Sequence, residues 1–144
     1  MFSTSCQYGL QAMMCIAKYS SSDENIELTK IAEEHDIPKH FLSKILQQLV
    51  KAKLLHSSKG PSGGYRLTRH PDEITLIEIV EILDGLEIFH KCGIGFKECD
   101  DEDPCPFHHD YKEVRDSVKE LFETKTLGDL NNEREMSDSM LNIL

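Results

Sequence analysis

Phe41, Leu42, Ile45, Leu46, Leu49 and Val50 form an apolar stripe, and the chain then passes almost at once into Leu54-Leu55-His56-Ser57-Ser58 and Tyr65-Arg66-Leu67-Thr68, two strand-like runs separated by Lys59-Gly60-Pro61-Ser62-Gly63-Gly64. Spacing at i, i+3, i+4, i+7 and i+8 predicts a helix that buries one face. Two short extended runs around a Gly/Pro-rich tip predict a hairpin. Ahead of the stripe, Leu28, Ile31 and Ala32 predict a short helix, with Thr29 as its cap, ending near His35-Asp36 before Pro38. Pro38 suits the first turn of the next helix. Two short helices joined by a tight turn, the second with Lys39, His40, Ser43, Lys44 and Gln47 on its outer face, make a helix-turn-helix, whose second helix enters the major groove. An ordinary helical hairpin is the bland alternative, and the following hairpin argues against it: a glycine-rich tip carrying Lys59 and Gly60 is a wing whose backbone approaches the duplex closely.

Charge sharpens this reading. The net charge is -10, the wrong sign for a nucleic-acid binder, yet the window from Ile37 to His70 holds seven basic residues (Lys39, Lys44, Lys51, Lys53, Lys59, Arg66, Arg69) and no Asp or Glu. A local basic face matters more to a polyanion than the sum over the chain. At 144 residues with 39% hydrophobic and 29% charged residues, the chain is long enough to bury a core and lies outside the regime of disordered sequences. No apolar run approaches the roughly 20 residues that span a bilayer, and the first basic side chain is Lys18, so the expected location is the cytoplasm, with no membrane partner.

Outside the window, Leu10, Met13, Met14, Ile16 and Ala17 predict a first helix from Tyr8 to Tyr19, and Ile74 to Leu83 supply the apolar face of another from Asp72, packing the wing onto the core. After Asp84-Gly85 the segment from Phe89 to Phe107 has no periodicity. Tyr111, Val114, Val118, Leu121 and Phe122 then mark a helix with a narrow stripe suited to a partner helix, and Thr126-Leu127-Gly128-Asp129-Leu130 reads as a short capped turn. The expected fold is mainly α with a small β-hairpin wing: a winged helix-turn-helix over 1–85, a cysteine-rich loop over 86–109, a long dimerisation helix and turn over 110–131, and a disordered tail over 132–144.

Five cysteines without an export signal point to metal or redox chemistry rather than disulfides. Cys92, Cys99, Cys105 and His108 fall within 17 residues, separated by seven, six and three, on a loop rich in Gly, Pro and acids. Soft thiolates with an imidazole suit zinc and iron-sulfur centres, and the spacing excludes neither. His109 could replace His108. Cys15 reads as a small buried hydrophobe of the first helix, Cys6 is less determined, and His35, His40, His56, His70 and His90 read as surface or groove-facing. No nucleophile-base order, phosphate loop or carboxylate pair stands out, so an enzyme is not expected.

Tyr8-Gly9-Leu10-Gln11-Ala12, the Lys59 to Tyr65 wing, the three-cysteine loop and the Thr126 to Leu130 turn together closely resemble the IscR/NsrR-type family of bacterial winged-helix iron-sulfur transcriptional regulators, over nearly the whole chain to about Asn132. The resemblance implies a homodimer on a double-stranded DNA operator, acting as a repressor or activator, with a 2Fe-2S (favoured) or 4Fe-4S cluster on Cys92, Cys99 and Cys105. In the IscR-like case the fourth ligand is a His three residues after the last Cys, here His108; in other members it comes from the partner's first helix, at the position of Gln7, beside Cys6. One extra residue between Cys92 and Cys99 and Lys59 in place of a common Arg depart from the IscR pattern. The alternatives are a zinc-bound or metal-free thiol-switch regulator and, from another class, a small electron carrier or thiol enzyme.

Overall fold

In the computed structural model, which describes residues 1–19, 24–95 and 101–133, the elements run α1 (Thr4–Tyr19), α2 (Leu28–His35), α3 (Lys39–Lys51), β1 (Leu55–Ser58), β2 (Gly64–Leu67), α4 (Leu76–Leu83) and α5 (His108–Thr124), with residues 127–133 helical at the end. This is a mainly helical winged helix-turn-helix carrying one long additional helix. The first helix starts four residues earlier than its periodicity predicts, at Thr4.

The helix-turn-helix closes on an unusual residue. Asp36 caps α2 in the left-handed conformation (φ 52°, ψ 49°) while its N–H bonds to the Ala32 carbonyl, a geometry that the short Asp side chain tolerates better than most. Ile37 is then buried and Pro38, fixed near φ -59°, is the N-cap of α3 rather than a member of its first turn. Thr29 does not cap α2: the cap position is Glu27, whose side chain makes no capping bond. On α3, Leu42, Ile45, Leu46 and Leu49 are buried, but Phe41 is 49% exposed. Position 41 lies at the edge of the stripe, where the periodicity alone cannot decide which way a ring faces.

β1 and β2 pair antiparallel, Leu55 opposite Leu67 and Ser58 opposite Gly64. The hairpin is moored mainly by α3, by α1 and by the strand-like segment before α2, rather than by α4: Ile26 and Tyr65 exchange both backbone hydrogen bonds at 2.9 Å. Gly64 permits this approach. Its φ is +138°, and a Cβ there would collide with the Ile26 carbonyl.

Where the apolar pattern predicts one helix from Asp72, there are two elements. A 3-10 turn over Pro71–Glu73 is followed by extended Ile74 and Thr75, and α4 starts only at Leu76. The break has a cause in the sequence. Thr75 donates from its N–H (3.0 Å) and hydroxyl (3.2 Å) to the Glu78 carboxylate, a capping arrangement that starts a helix rather than continuing one. The freed backbone is used elsewhere: the Leu76 N–H donates to the Lys125 carbonyl and the Leu127 N–H to the Ile74 carbonyl, both at 3.0 Å. The Thr126 turn is thereby attached to the winged domain, and Leu127 is fully buried there.

α4 packs on α1, α3 and α5. The main core gathers Met13, Ile16, Ile31, Leu42, Leu46 and Ile79, all buried to within 1%. A second cluster, formed by Cys6, Val80 and Phe89 with Phe2, Val118 and Phe122 against it, joins α1 and α4 to α5 and to the 3-10 turn that enters the cysteine loop.

Candidate nucleic-acid interface and cysteine loop

Lys39, His40 and Lys44 are exposed at the N-terminal half of α3 and Ser43 is half-buried, so all four open on the side of α3 away from its packed Leu42, Ile45 and Leu46. The rings of His40 and Phe41 lie 4.2 Å apart between centroids, a joint aromatic surface beside the lysines. Lys59 and Gly60 are exposed at the tip of the hairpin, with Gly60 at φ +99°. A helix face and a hairpin tip of the same charge are what a duplex needs, the first reading base edges and the second holding backbone.

The cysteine loop connects α4 to α5. Cys92 is 9% exposed, Cys105 is half-buried, and their sulfurs stand 3.6 Å apart. Two thiolates sharing one tetrahedral metal at about 2.3 Å each lie about 3.8 Å from one another, whereas a disulfide needs about 2.05 Å. Cys99 lies outside the described residues. His108 is the first residue of α5, its backbone N–H donating to the Cys105 carbonyl at 3.0 Å, and its ring is buried. Its Nε2 is 2.7 Å from Asp101 Oδ1. Asp101 is held ionised, first by that hydrogen bond and then by Lys112, so the carboxylate only accepts and Nε2 carries the proton. In the neutral ring Nδ1 is then the nitrogen with a lone pair, the arrangement of a metal-ligating histidine oriented by a carboxylate. His109 is exposed. Among the described residues the donor atoms of Cys92, Cys105 and His108 do not all come within 4.8 Å of one another.

Two residues that sequence reasoning missed shape the loop. Arg115 is 4% exposed and donates from Nη1 to the Lys91 carbonyl at 2.7 Å, fixing the residue before Cys92. Gly93 lies so near α5 that a Cβ would approach the Tyr111 ring to 2.7 Å. Arg115 could have been found: Tyr111, Arg115, Val118 and Phe122 share one helical face, so its position is that of a core residue, although a charge there reads as solvent-facing. The other two stripe residues of α5, Val114 and Leu121, are 60% and 50% exposed.

The remaining cysteines face inward. Burial, with the Asp84 carboxylate nearby, pushes the fully buried Cys6 thiol up to about 12. Gln7 is exposed and donates to the Phe2 carbonyl. Cys15 is also fully buried, but it is more than a small hydrophobe: its sulfur contacts Glu34 Oε2 at 3.5 Å. His35, expected at the surface, is half-buried, and a ring nitrogen lies within 4.8 Å of both donor atoms. Nothing in local spacing links positions 15, 34 and 35; only the packing of α1 on α2 brings them together.

No helix among the described residues is long and apolar enough to cross a membrane. Residues 2–133 match the Rrf2 family, described as iron-dependent transcriptional regulators. An HTH-type transcriptional regulator of Aquifex aeolicus is 32% identical over 133 residues, covering 91% of each chain. The structure of CymR, the global cysteine regulator of B. subtilis, superposes with a TM-score of 0.77 at 31% identity, covering 92% of this chain and 97% of that one. The IscR of T. potens gives a TM-score of 0.74 at 27% identity, covering 95% and 90%. These relatives are transcriptional regulators and not enzymes, and with a matching profile over nearly its whole length and the same winged fold, this chain belongs to the Rrf2 family of DNA-binding transcriptional regulators.

Proposed function

We propose that the chain is a cytoplasmic homodimeric regulator whose operator affinity is set by an iron-sulfur cluster on Cys92, Cys99, Cys105 and His108. The observation that carries this reading is the 3.6 Å separation of the Cys92 and Cys105 sulfurs, close to the edge of a tetrahedral metal-thiolate site. The buried His108, with Asp101 on Nε2, adds a borderline nitrogen donor three residues beyond Cys105, and the inward packing of Cys6 argues against a thiolate lent to the partner. An iron-sulfur cluster would supply a redox- and ligand-sensitive charge at this position; the residues' own part would be to hold it against α5. There Arg115 anchors the entry to Cys92 and Gly93 seats the loop on Tyr111.

The same reading uses α5 as the dimer seam. Phe107, Val114 and Leu121 are spaced by seven and are 43%, 60% and 50% exposed, a heptad-spaced apolar line that a second copy would cover. Lys39, His40, Ser43 and Lys44 would then meet the major groove of each half-site, with Lys59 and Gly60 of the wing on the flanking backbone. A change at the loop is felt at α5, hence at the seam, hence in the spacing of the two α3 helices, a two-state coupling. The test is operator binding by anaerobic wild type and by a chain with Cys92, Cys99 and Cys105 replaced by Ala. Altered affinity at one or more promoter sites is expected, and identical affinity at every site would refute the switch.

A second reading, a zinc-bound or metal-free thiol switch, draws on the same pair: a shift of about 1.5 Å would bring the two sulfurs to disulfide distance, releasing two protons and two electrons to an oxidant. Metal content separates the two readings.

A further inference from the structure

Cys15 lies in α1 and Glu34 and His35 end α2, and among the described residues these are the three whose donor atoms all fall within 4.8 Å of one another. The Cys15 sulfur and Glu34 Oε2 are 3.5 Å apart. A tetrahedral metal with bonds of about 2.3 Å to sulfur and 2.0 Å to oxygen has a ligand edge of about 3.5 Å. The carboxylate is already oriented: Lys18 holds Oε1 at 3.4 Å, and the Tyr19 hydroxyl donates to Oε2 at 3.4 Å. Thiolate, imidazole and carboxylate together select a borderline divalent ion of the zinc class over magnesium or calcium, which want oxygen alone.

We propose that Cys15, Glu34 and His35 form a second metal site for a zinc-class divalent cation, independent of the cysteine loop, with three protein donors and one open position. It goes beyond the cluster reading and does not rest on it. Its consequence follows from its place in the fold: His35 directly precedes Asp36, the left-handed residue of the helix-turn-helix, so a metal bridging α1 and the end of α2 fixes the turn from which α3 is presented. Uptake replaces the thiol proton with the metal and releases one proton per site. Burial and the neighbouring Glu34 carboxylate push the Cys15 thiol up to about 12, with Lys18 and Lys30 opposing, so the proton there is one a cation must displace.

The probe is Co2+, added to the full chain with Cys92, Cys99 and Cys105 replaced by Ser, which leaves Cys6 and Cys15 as the thiols. One cobalt per chain is expected, with a near-ultraviolet thiolate-to-cobalt band and the ligand-field absorption of tetrahedral cobalt. C15S should abolish the sulfur band. E34Q and H35A, at partly accessible positions, should each weaken binding by more than the roughly 10–100-fold that loss of an outer-shell partner costs. Absence of the sulfur band in the folded, Cys15-containing chain, or unchanged affinity in both E34Q and H35A, overturns the site. Where the loop variant does not give a folded circular-dichroism spectrum, anaerobic wild type and E34Q are compared instead: a difference of one cobalt per chain supports the site, and equal stoichiometry overturns it.

Discussion

Replacing Gly64 by Ala tests how the wing is held. Gly64 sits at φ +138°, and an added Cβ would meet the Ile26 carbonyl and lie 3.1 Å from the Glu27 nitrogen, all backbone that cannot swing aside. Holding a side-chain-bearing residue in that region costs about 1–3 kcal/mol. Relief of the collision breaks the two Ile26–Tyr65 hydrogen bonds, worth about 0.5–1.5 kcal/mol each. The expected loss is therefore about 2–6 kcal/mol, a large share of the roughly 5–15 kcal/mol that holds a domain folded. Gly60→Ala is the control, because Gly60 also has a positive φ (+99°) but nothing within 4 Å, so only the strain remains. Urea unfolding of the two variants measures the difference: with a slope of about 1–3 kcal/mol/M, the midpoint of G64A should fall below that of G60A by on the order of 1 M. Equal midpoints would refute the claim that the Ile26 contact moors the hairpin.

Glu78→Ala removes the cap of α4 and the Arg69 ion pair at 2.6 Å, and should cost about 1–2 kcal/mol at neutral pH in thermal or urea unfolding. Partial burial raises the Glu78 carboxyl, but the Thr75 N–H and Arg69 outweigh it and the net shift is downward from 4.5; its contribution is thus present above pH 4.5 and is lost as pH falls through the lower folded value. The gap between wild type and E78A should therefore close on acidification, and a gap that persists in strong acid would show that the carboxylate is not its source. Substituting Glu at both Val114 and Leu121 places like charges along the exposed line of α5 and should convert the proposed dimer to monomer in sedimentation equilibrium without changing the helical circular dichroism; a dimer of unchanged affinity would refute α5 as the seam.

Much of the fold is legible because its signals are local. The α3 stripe, the Gly/Pro tip and the Thr126-to-Asp129 turn, where Thr126 and Asp129 cap each other's N–H groups at 3.0 and 3.1 Å, each lie within a few residues. The break at Thr75 is a local signal, its capping arrangement with Glu78, and Thr126, about fifty residues away, takes up the backbone that it frees. The other errors arise where a tertiary partner decides. Phe41 and Arg115 sit against their polarity: the ring is half exposed, and the guanidinium is inside, where it finds the Lys91 carbonyl. Of the loop site, the spacing nominates Cys92, Cys99, Cys105 and His108 as candidate ligands, whereas Asp101 and Arg115, which contact His108 and the Lys91 carbonyl, look like ordinary surface charges in sequence. Cys15 with Glu34 and His35 could not be seen at all without the packing of α1 on α2.

The most direct test of an iron-sulfur cluster on the cysteine loop is to purify the full chain anaerobically and quantify iron, acid-labile sulfide and zinc alongside the visible spectrum. Iron and sulfide in equal amounts, with charge-transfer absorption lost in the Cys92, Cys99 and Cys105 variant, is the predicted result; a chain carrying zinc alone, or no metal at the loop, would contradict the cluster reading and leave the thiol switch in its place.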